Sequence, residues 1–197
     1  MTNNSERTYP RTVHLADEAF DVRYMVPSDE TAVSTFASAL PPHDLLFMRR
    51  DITAPKVMAA WLQGLENGTV TTLLATSAGK VCGCAAIIQD KMSWSPHVGE
   101  MRIVVDHKIR GKGLGRALAQ ECFAIALGLG IEKLIAYMTI DQQGAIAVFE
   151  ELGFHAEAML REHVQDRNGT KHDVVMLSQD VNKFLARMEV FGLTEPS

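Results

Sequence analysis

Hydrophobic and polar positions follow two periodic patterns along this chain, one typical of strands and the other typical of helices. Alternation of apolar and polar residues, or a short apolar run, predicts strands. We expect strands at residues 20–26, 70–76, 81–89, 100–105 and 133–140, and two more on either side of the Asn168-Gly169 turn. Apolar residues three or four positions apart predict helices. We expect helices at residues 28–40, 54–66, 114–129, 142–152 and 181–190.

The order of these elements predicts an α/β fold with a single mixed sheet. Helices separate strands in some places and hairpins join them in others, so only part of the sheet can be parallel. Counting the predicted strands gives a sheet of about seven, flanked by helices. We expect one domain at residues 19–180, preceded by a flexible lead-in at 1–18 and followed by a C-terminal helix and tail at 181–197.

Composition narrows the class of protein. Apolar residues make up 47% of the chain and charged residues 22%, as in an ordinary globular domain. The net charge of -5 argues against a nucleic-acid partner. No apolar stretch approaches the length of a membrane span, and the polar N-terminus lacks the apolar centre of a signal peptide. The three cysteines show no metal-binding or disulfide spacing, so we expect a cytoplasmic protein without a metal site.

A basic, glycine-rich segment lies directly between a predicted strand and a predicted helix. Residues 110–116 read Arg-Gly-Lys-Gly-Leu-Gly-Arg. Glycines allow close approach of the backbone to a ligand, and the free amides of a helix N-terminus attract anions. The segment departs from a Walker loop because no Ser or Thr follows Lys112, and from a dinucleotide-binding loop because Leu118 stands where the third glycine belongs. The segment therefore predicts a pyrophosphate site of another kind.

Residues 98–154 resemble the GCN5-related N-acetyltransferase (GNAT) superfamily. The loop fits the family pattern Arg/Gln-x-x-Gly-x-Gly at Arg110, Gly113 and Gly115. The family's second signature is Asn-x-x-Ala-x-x-x-Tyr-x-x-x-Gly-Phe, and the corresponding positions here are Gln142, Ala145, Phe149, Gly153 and Phe154. The resemblance implies a mostly antiparallel sheet with a splayed central parallel pair, and it leaves room for a homodimer.

The same resemblance implies acetyl-CoA as the acyl donor and an amine of a small molecule or protein as the acceptor. Composition, as described above, adds the expectation of no metal, no nucleic-acid partner and no membrane. The residues that the resemblance implies for donor binding lie on the strand before the loop, on the loop and around the downstream helix: Ile103, Val104, Val105, Arg110, Gly111, Lys112, Gly113, Leu114, Gly115, Arg116, Gln142 and Phe149.

Family members transfer the acetyl group directly to the amine, which must first lose a proton. The resemblance also implies that a backbone amide near Val104 donates a hydrogen bond to the oxyanion that develops during the transfer. In the family, a tyrosine of the downstream helix usually protonates the leaving thiolate. Here that position is Phe149, so the proton comes from Tyr137 or from water, or the thiolate is not protonated at all. Glu100 is the candidate base, with His97 and Asp141 as alternatives. The missing tyrosine also motivates an alternative function, a non-catalytic acyl-CoA sensor or interaction domain on the same fold.

Charged residues in two other segments are candidates for further roles. After the first helix, Arg49, Arg50 and Asp51 are candidates for reading a charged acceptor, although a solvated helix face explains them equally well. Two histidines and two aspartates flank the final hairpin and would bind a metal only if their side chains converged. Because successive side chains of a strand point to opposite faces of the sheet, we expect that they do not converge and that their proximity in the sequence is due to chance. These four residues are His163, Asp166, His172 and Asp173.

Overall fold

Eight strands form one sheet in the computed structural model, which describes residues 7–48 and 50–183. The strands are β1 (Arg11–Leu15), β2 (Glu18–Tyr24), β3 (Val70–Ser77), β4 (Lys80–Gln89), β5 (Val98–Val105), β6 (Lys133–Thr139), β7 (His155–Gln165) and β8 (Lys171–Asp180). The helices are α1 (Glu30–Ala39), α2 (Pro55–Glu66), α3 (Leu114–Gly128) and α4 (Gln143–Glu151). A 3₁₀ segment, Pro42–Met48, lies between α1 and α2. None of the helices in these ranges is long and apolar enough to cross a membrane.

The mixed α/β class and the order of elements agree with the prediction, but the sheet has eight strands rather than seven. The additional strand, β1, pairs antiparallel with β2 and lies inside the expected lead-in at 1–18. That expectation is wrong for β1, because the preceding residues are anchored to α3. Tyr9 donates a 2.6 Å hydrogen bond to the buried Glu121, and Arg7 lies 2.7 Å from the same carboxylate. The helix expected at 181–190 falls outside the described residues beyond residue 183.

Helices cover both faces of the sheet, so the central strands are apolar on both sides. Alternate residues of β3 show the division, because Leu73 packs with the α3 and α4 side and Leu74 with the α1 and α2 side. A strand buried on both faces reads as a continuous apolar run. This explains why the sequence of β3 and β4 showed little alternation.

The sheet order β1-β2-β3-β4-β5-β6-β8-β7 contains one parallel pair, β5 and β6. These strands pair only at their beginnings, where Val98, Gly99 and Glu100 face Lys133, Leu134 and Ile135. Further along, β5 continues its pairing with β4, and β6 continues with β8. The facing edges of β5 and β6 therefore separate toward their carboxyl ends. This gap confirms the predicted splayed pair and creates an opening in the middle of the sheet.

A buried hydrogen bond between α2 and β3 gives a stability prediction. Trp61 Nε1 donates to Thr72 Oγ1 at 2.9 Å, and both residues are buried. Thr72→Val keeps the shape of the side chain but leaves the indole N–H unpaired, which costs about 1–3 kcal/mol. Urea unfolding should show this loss for Thr72→Val and a smaller one for Thr72→Ser, which keeps the hydroxyl. A Val variant as stable as the Ser variant would contradict the role of this bond.

Candidate active site

The loop between β5 and α3 presents an open helix N-terminus. Asp106 Oδ1 accepts a 3.0 Å hydrogen bond from the Lys108 amide and starts a short turn after β5. Gly111 and Gly113 then adopt φ angles of 80° and 90°, in the left-handed region that favours glycine. Within the described residues no side chain caps α3, which begins immediately after Gly113. The first amides of α3 therefore have no capping side chain among these residues, which is the arrangement that an anion site at this helix end requires.

Alternate backbone groups of β5 face the gap. The Asp106 amide donates to Cys82 O on β4 at 2.9 Å, while on the opposite edge His97 O accepts from the Lys133 amide at 3.1 Å. Because backbone groups alternate along a strand, the groups of Ile103 and Val105 point toward the gap. The amide of Val104 points toward Cys84 on β4, its register partner. The amides of Ile103 and Val105, rather than that of Val104, are thus placed to meet an oxyanion in the gap.

Each arginine or lysine implied for donor binding is paired with a carboxylate from another element. Arg110 Nη2 lies 2.6 Å from Asp44 Oδ2 in the 3₁₀ segment. Lys112 Nζ lies 2.5 Å from Glu18 Oε1 on β2. Arg116 pairs with Glu151 at the end of α4. No local pattern in the sequence indicated these pairings. They hold the cationic side chains next to the open end of α3, where an anionic ligand would compete for them.

The two candidate residues of the downstream helix have different environments. Gln142 directly precedes α4, and its Oε1 is buried without a hydrogen-bond partner among the described residues. A buried acceptor without a partner is costly, so a ligand N–H would stabilise it. Phe149 is 6% exposed, and its ring packs edge-on against Phe154 at 4.9 Å. Phe149, a residue of α4, is therefore part of the hydrophobic core, and it has no group that can donate a proton.

The candidate base and acid lie on the same face of the sheet. Neighbouring side chains of β5 and β6, including Met101 and Ala136, pack toward α3 and α4, so Glu100 and Tyr137 point toward the α1 and α2 face. Glu100 Oε1 accepts a 2.8 Å hydrogen bond from Arg102 Nε. Glu100 faces Ile135, at the last position where β5 and β6 still pair. Its carboxylate is thus engaged by a guanidinium and lies where the gap begins, not at its open end.

A histidine that the sequence did not single out lies at the end of β6. His43 Nε2, in the 3₁₀ segment, is 2.7 Å from Asp141 Oδ2. Burial alone would raise the pKa of the Asp141 carboxyl. The nearby Thr139 hydroxyl, the Asp141 backbone and the neighbouring His43 outweigh burial and hold this pKa below its ordinary value. The sequence offered Asp141 as an alternative base. It did not indicate the pairing with His43, because the two residues are far apart in the chain.

A cavity of about 300 Å³ lies between the 3₁₀ segment and the β7–β8 hairpin. Its lining carries both signs of charge, with Arg50 and Asp51 on one side and Asp166 and Arg167 on the other. Arg167 Nη2 lies 2.7 Å from Asp51 Oδ2. Arg50 and Asp51, two of the residues considered for reading a charged acceptor, thus line this cavity, whereas Arg49 falls outside the described residues.

The polar residues of the final hairpin do not converge on a metal site. His172 Nε2 lies 3.2 Å from Asp166 Oδ2, and its ring contacts His43 with a centroid distance of 5.3 Å. Asp173 instead accepts a 2.8 Å hydrogen bond from the Glu162 amide, and His163 lines the cavity. In the part of the chain that the structure describes, no three His, Cys, Asp or Glu side chains are placed to hold a metal ion.

The Acetyltransferase (GNAT) family matches residues 35–154, which include the loop, the gap and α4. The match covers more than half of the chain, so this protein belongs to the GNAT acetyltransferase family. A Bacillus subtilis protein named "Putative phosphinothricin acetyltransferase YwnH" is 34% identical over 83 residues, which are 42% of this chain and 50% of that protein. A mycothiol acetyltransferase of Mycobacteroides abscessus is 40% identical over 60 residues, 30% of this chain and 20% of that protein. The chain thus matches half or less of either relative's length.

Solved structures of the same fold cover most of the chain. The GNAT-family acetyltransferase of Streptococcus pneumoniae superposes with a TM-score of 0.71 at 23% identity, covering 82% of this chain and 99% of that one. Spermidine N-acetyltransferase from Vibrio cholerae, in complex with CoA and spermine, gives a TM-score of 0.71 at 17% identity, covering 84% and 98%. At these identities the likeness establishes the fold and leaves the acceptor open.

Proposed function

We propose that this protein transfers an acetyl group from acetyl-CoA to an amine. The observation that carries the proposal is the open N-terminus of α3, placed behind Gly111 and Gly113 at the carboxyl end of the splayed β5–β6 pair. An anion-binding helix end beside a gap in the sheet fits a ligand with a pyrophosphate and a long amide-containing arm. Acetyl-CoA is such a ligand.

Three features of the chain fit the donor. The first amides of α3, from Leu114 to Arg116, bind the pyrophosphate, assisted by the side chains of Arg110 and Lys112. The open edge of β5 offers the backbone groups of Ile103 and Val105 to the amides of the arm. Gln142 supplies a buried acceptor that has no hydrogen-bond partner among the described residues. When bound, the donor supplies an activated acetyl thioester, and the amides facing the gap stabilise the negative charge that develops on its oxygen.

The cavity beside the 3₁₀ segment is our candidate for the acceptor site. Its volume of about 300 Å³ suits a small amine, or the end of a protein side chain, rather than a large surface. Arg50 and Arg167 are matched there by Asp51 and Asp166, which suits an acceptor carrying charges of both signs. The Vibrio neighbour acts on spermidine and the Bacillus relative is named for phosphinothricin, so small amines are the first class to test.

The leaving group needs little help from the protein. A thiol has a pKa of about 8.5, so thiolate is an adequate leaving group near neutral pH. Because Phe149 offers no proton, we assign any protonation to Tyr137 or to water. Tyr137 lies in the part of β6 that has separated from β5, opposite Met176 of β8.

A reducing cytoplasm suits the free thiols of this chain. Cys82, Cys84 and Cys122 are all free and buried. Burial raises the pKa of the Cys82 thiol to about 11 and that of Cys84 to about 12, so neither is a thiolate at neutral pH. We therefore place the reaction in the cytoplasm and assign these cysteines to packing rather than to chemistry.

Thermal unfolding with added ligands tests donor binding. Acetyl-CoA at about 100 times its dissociation constant should add about 2.7 kcal/mol and raise the midpoint by roughly 5–10 °C. CoA should give a similar shift, since the pyrophosphate and arm are unchanged, and ATP a smaller one. The absence of a shift with acetyl-CoA and CoA would contradict the assignment of the site.

The pairing of Lys112 with Glu18 predicts that donor affinity can be improved. Glu18→Gln frees the ammonium group for a phosphate, and because exposed ion pairs contribute up to about 1 kcal/mol, affinity should rise by up to about fivefold. The control is Glu66→Gln, which changes the net charge equally at the exposed end of α2. Isothermal titration at low ionic strength measures the difference. Equal affinities in the two variants would show that Glu18 does not compete with the ligand.

A further inference from the structure

The 3₁₀ segment Pro42–Met48 is tied to both sides of the gap through two consecutive residues. Asp44 Oδ2 lies 2.6 Å from Arg110 Nη2, in the loop that follows β5. His43 Nε2 lies 2.7 Å from Asp141 Oδ2, shortly after β6 ends. Because β5 and β6 are parallel, their carboxyl ends lie at the same edge of the sheet. The segment therefore crosses the open end of the gap and holds His43 on the β6 side.

Among the described residues, the close polar contact of His43 is made by Nε2 with Asp141. In a neutral imidazole, the tautomer with the proton on Nε2 leaves the lone pair on Nδ1. The His43 side chain is 38% exposed, and its chain neighbour Pro42 lines the cavity. Within the described ranges, His172 on β8 lies beside the His43 ring at a centroid distance of 5.3 Å, and Asp166 lies 3.2 Å from the His172 ring nitrogen. The carboxylate of Asp44, the next residue in the chain, is paired with Arg110.

We propose that His43 is the catalytic base of the acetyl transfer and that Asp141 is its positioning residue. The inference rests on the proposed function and assigns the proton acceptor that the sequence left open. Glu100, the sequence candidate, is engaged by Arg102 and lies where β5 and β6 still pair. His43 lies instead where the gap opens next to the candidate acceptor cavity, whose lining includes its chain neighbour Pro42.

The proposed step balances without a further reactant. The amine nitrogen forms a bond to the acetyl carbon, and the bond between that carbon and the sulfur breaks. The amine proton passes to His43 Nδ1, and the electron pair of the broken bond leaves with the sulfur as thiolate. Asp141 stabilises the imidazolium that results, because its carboxylate lies at Nε2. The imidazolium then loses the proton to water, which restores the base.

Steady-state kinetics of His43→Ala test the assignment. A lost general base should lower kcat by about 100-fold or more, while the dissociation constant for acetyl-CoA and the unfolding midpoint stay unchanged. Added imidazole should restore part of the lost kcat, which a purely structural role would not allow. The matched control is His14→Ala, which removes an exposed histidine on the edge strand β1 and should retain wild-type kcat.

A double-mutant cycle tests whether Asp141 acts through His43. Asp141→Asn should lower kcat by about tenfold in the wild-type background and leave kcat unchanged in the His43→Ala background, because the two residues act as a unit. Additive losses would overturn the positioning role of Asp141. If wild-type protein acetylates amines and His43→Ala retains kcat within about threefold, the assignment of His43 as the base is overturned, while the proposed acetyl transfer is not. A wild-type protein that neither binds acetyl-CoA nor acetylates any amine would overturn both.

Discussion

Replacing Gly115 with aspartate is expected to abolish acetyl-CoA binding while leaving the folded protein at least as stable. Gly115 is the second residue of α3, and a Cβ built on it would lie 3.9 Å from Val105 Cγ2, an ordinary van der Waals distance. An acidic side chain in the first turn of a helix adds about 0.3–1 kcal/mol of stability through the helix dipole. The same carboxylate would occupy the place proposed for the pyrophosphate, and like charges in contact cost several kcal/mol.

The expected loss of affinity for Gly115→Asp is therefore at least about 100-fold, measured by isothermal titration. Gly115→Asn is the matched control, because it has nearly the same size without the charge, and we expect it to lose much less affinity. Urea unfolding of both variants checks that the fold is intact. Gly115→Asp protein that binds acetyl-CoA as tightly as the Asn variant would place the donor elsewhere.

Leu118→Ala is expected to cause the largest loss of stability among the substitutions considered. Leu118 is fully buried in the second turn of α3, where the helix packs on β4 through Gly83. Removing a buried leucine side chain costs about 2–5 kcal/mol, because the cavity left behind collapses only in part. For a protein of this size, the unfolding midpoint should fall by roughly 4–20 °C. A loss below about 1 kcal/mol would show that α3 does not pack on the sheet as described.

The contact between α3 and β4 can also be tested by changing Gly83, the residue of β4 that faces Leu118. A Cβ on Gly83 would lie 3.2 Å from Leu118 Cδ1 and 3.3 Å from Leu114 Cδ2, so Gly83→Ala crowds the interface in the wild-type protein. In the Leu118→Ala background the added methyl enters the new cavity. The double variant should therefore be more stable than the sum of the two single losses predicts. Strictly additive losses would contradict the direct contact.

Local patterns in the sequence were sufficient for much of the fold and for the position of the glycine-rich loop before α3. The helical stripe at Leu114, Leu118, Cys122 and Ile125 is buried, because a 3.6-residue period places these side chains on one face against the sheet. The glycines of the loop predicted unusual dihedrals, and Gly111 and Gly113 indeed have positive φ angles. In both cases the determining interactions lie within a few residues of each other.

Contacts between remote segments carried no such signal. Strand β1 belongs to a segment anchored by Tyr9 and Arg7 to Glu121, and His43 meets Asp141 only once the sheet has formed. The direction of the Val104 amide depends on the register of β5 against β4, which a single-strand pattern does not set. These features arise from tertiary packing, so they became visible only in the structure.

Amine-dependent formation of acetylated product from acetyl-CoA is the most direct measurement to make. Wild-type protein would be incubated with acetyl-CoA and small amines, including polyamines and amino acids, and each product identified by mass spectrometry together with released CoA thiol. Acetyl transfer predicts equal amounts of acetylated amine and thiol with at least one acceptor, and no product with Gly115→Asp protein. Tight acetyl-CoA binding without product from any amine would contradict it and indicate an acyl-CoA-binding protein on the same fold.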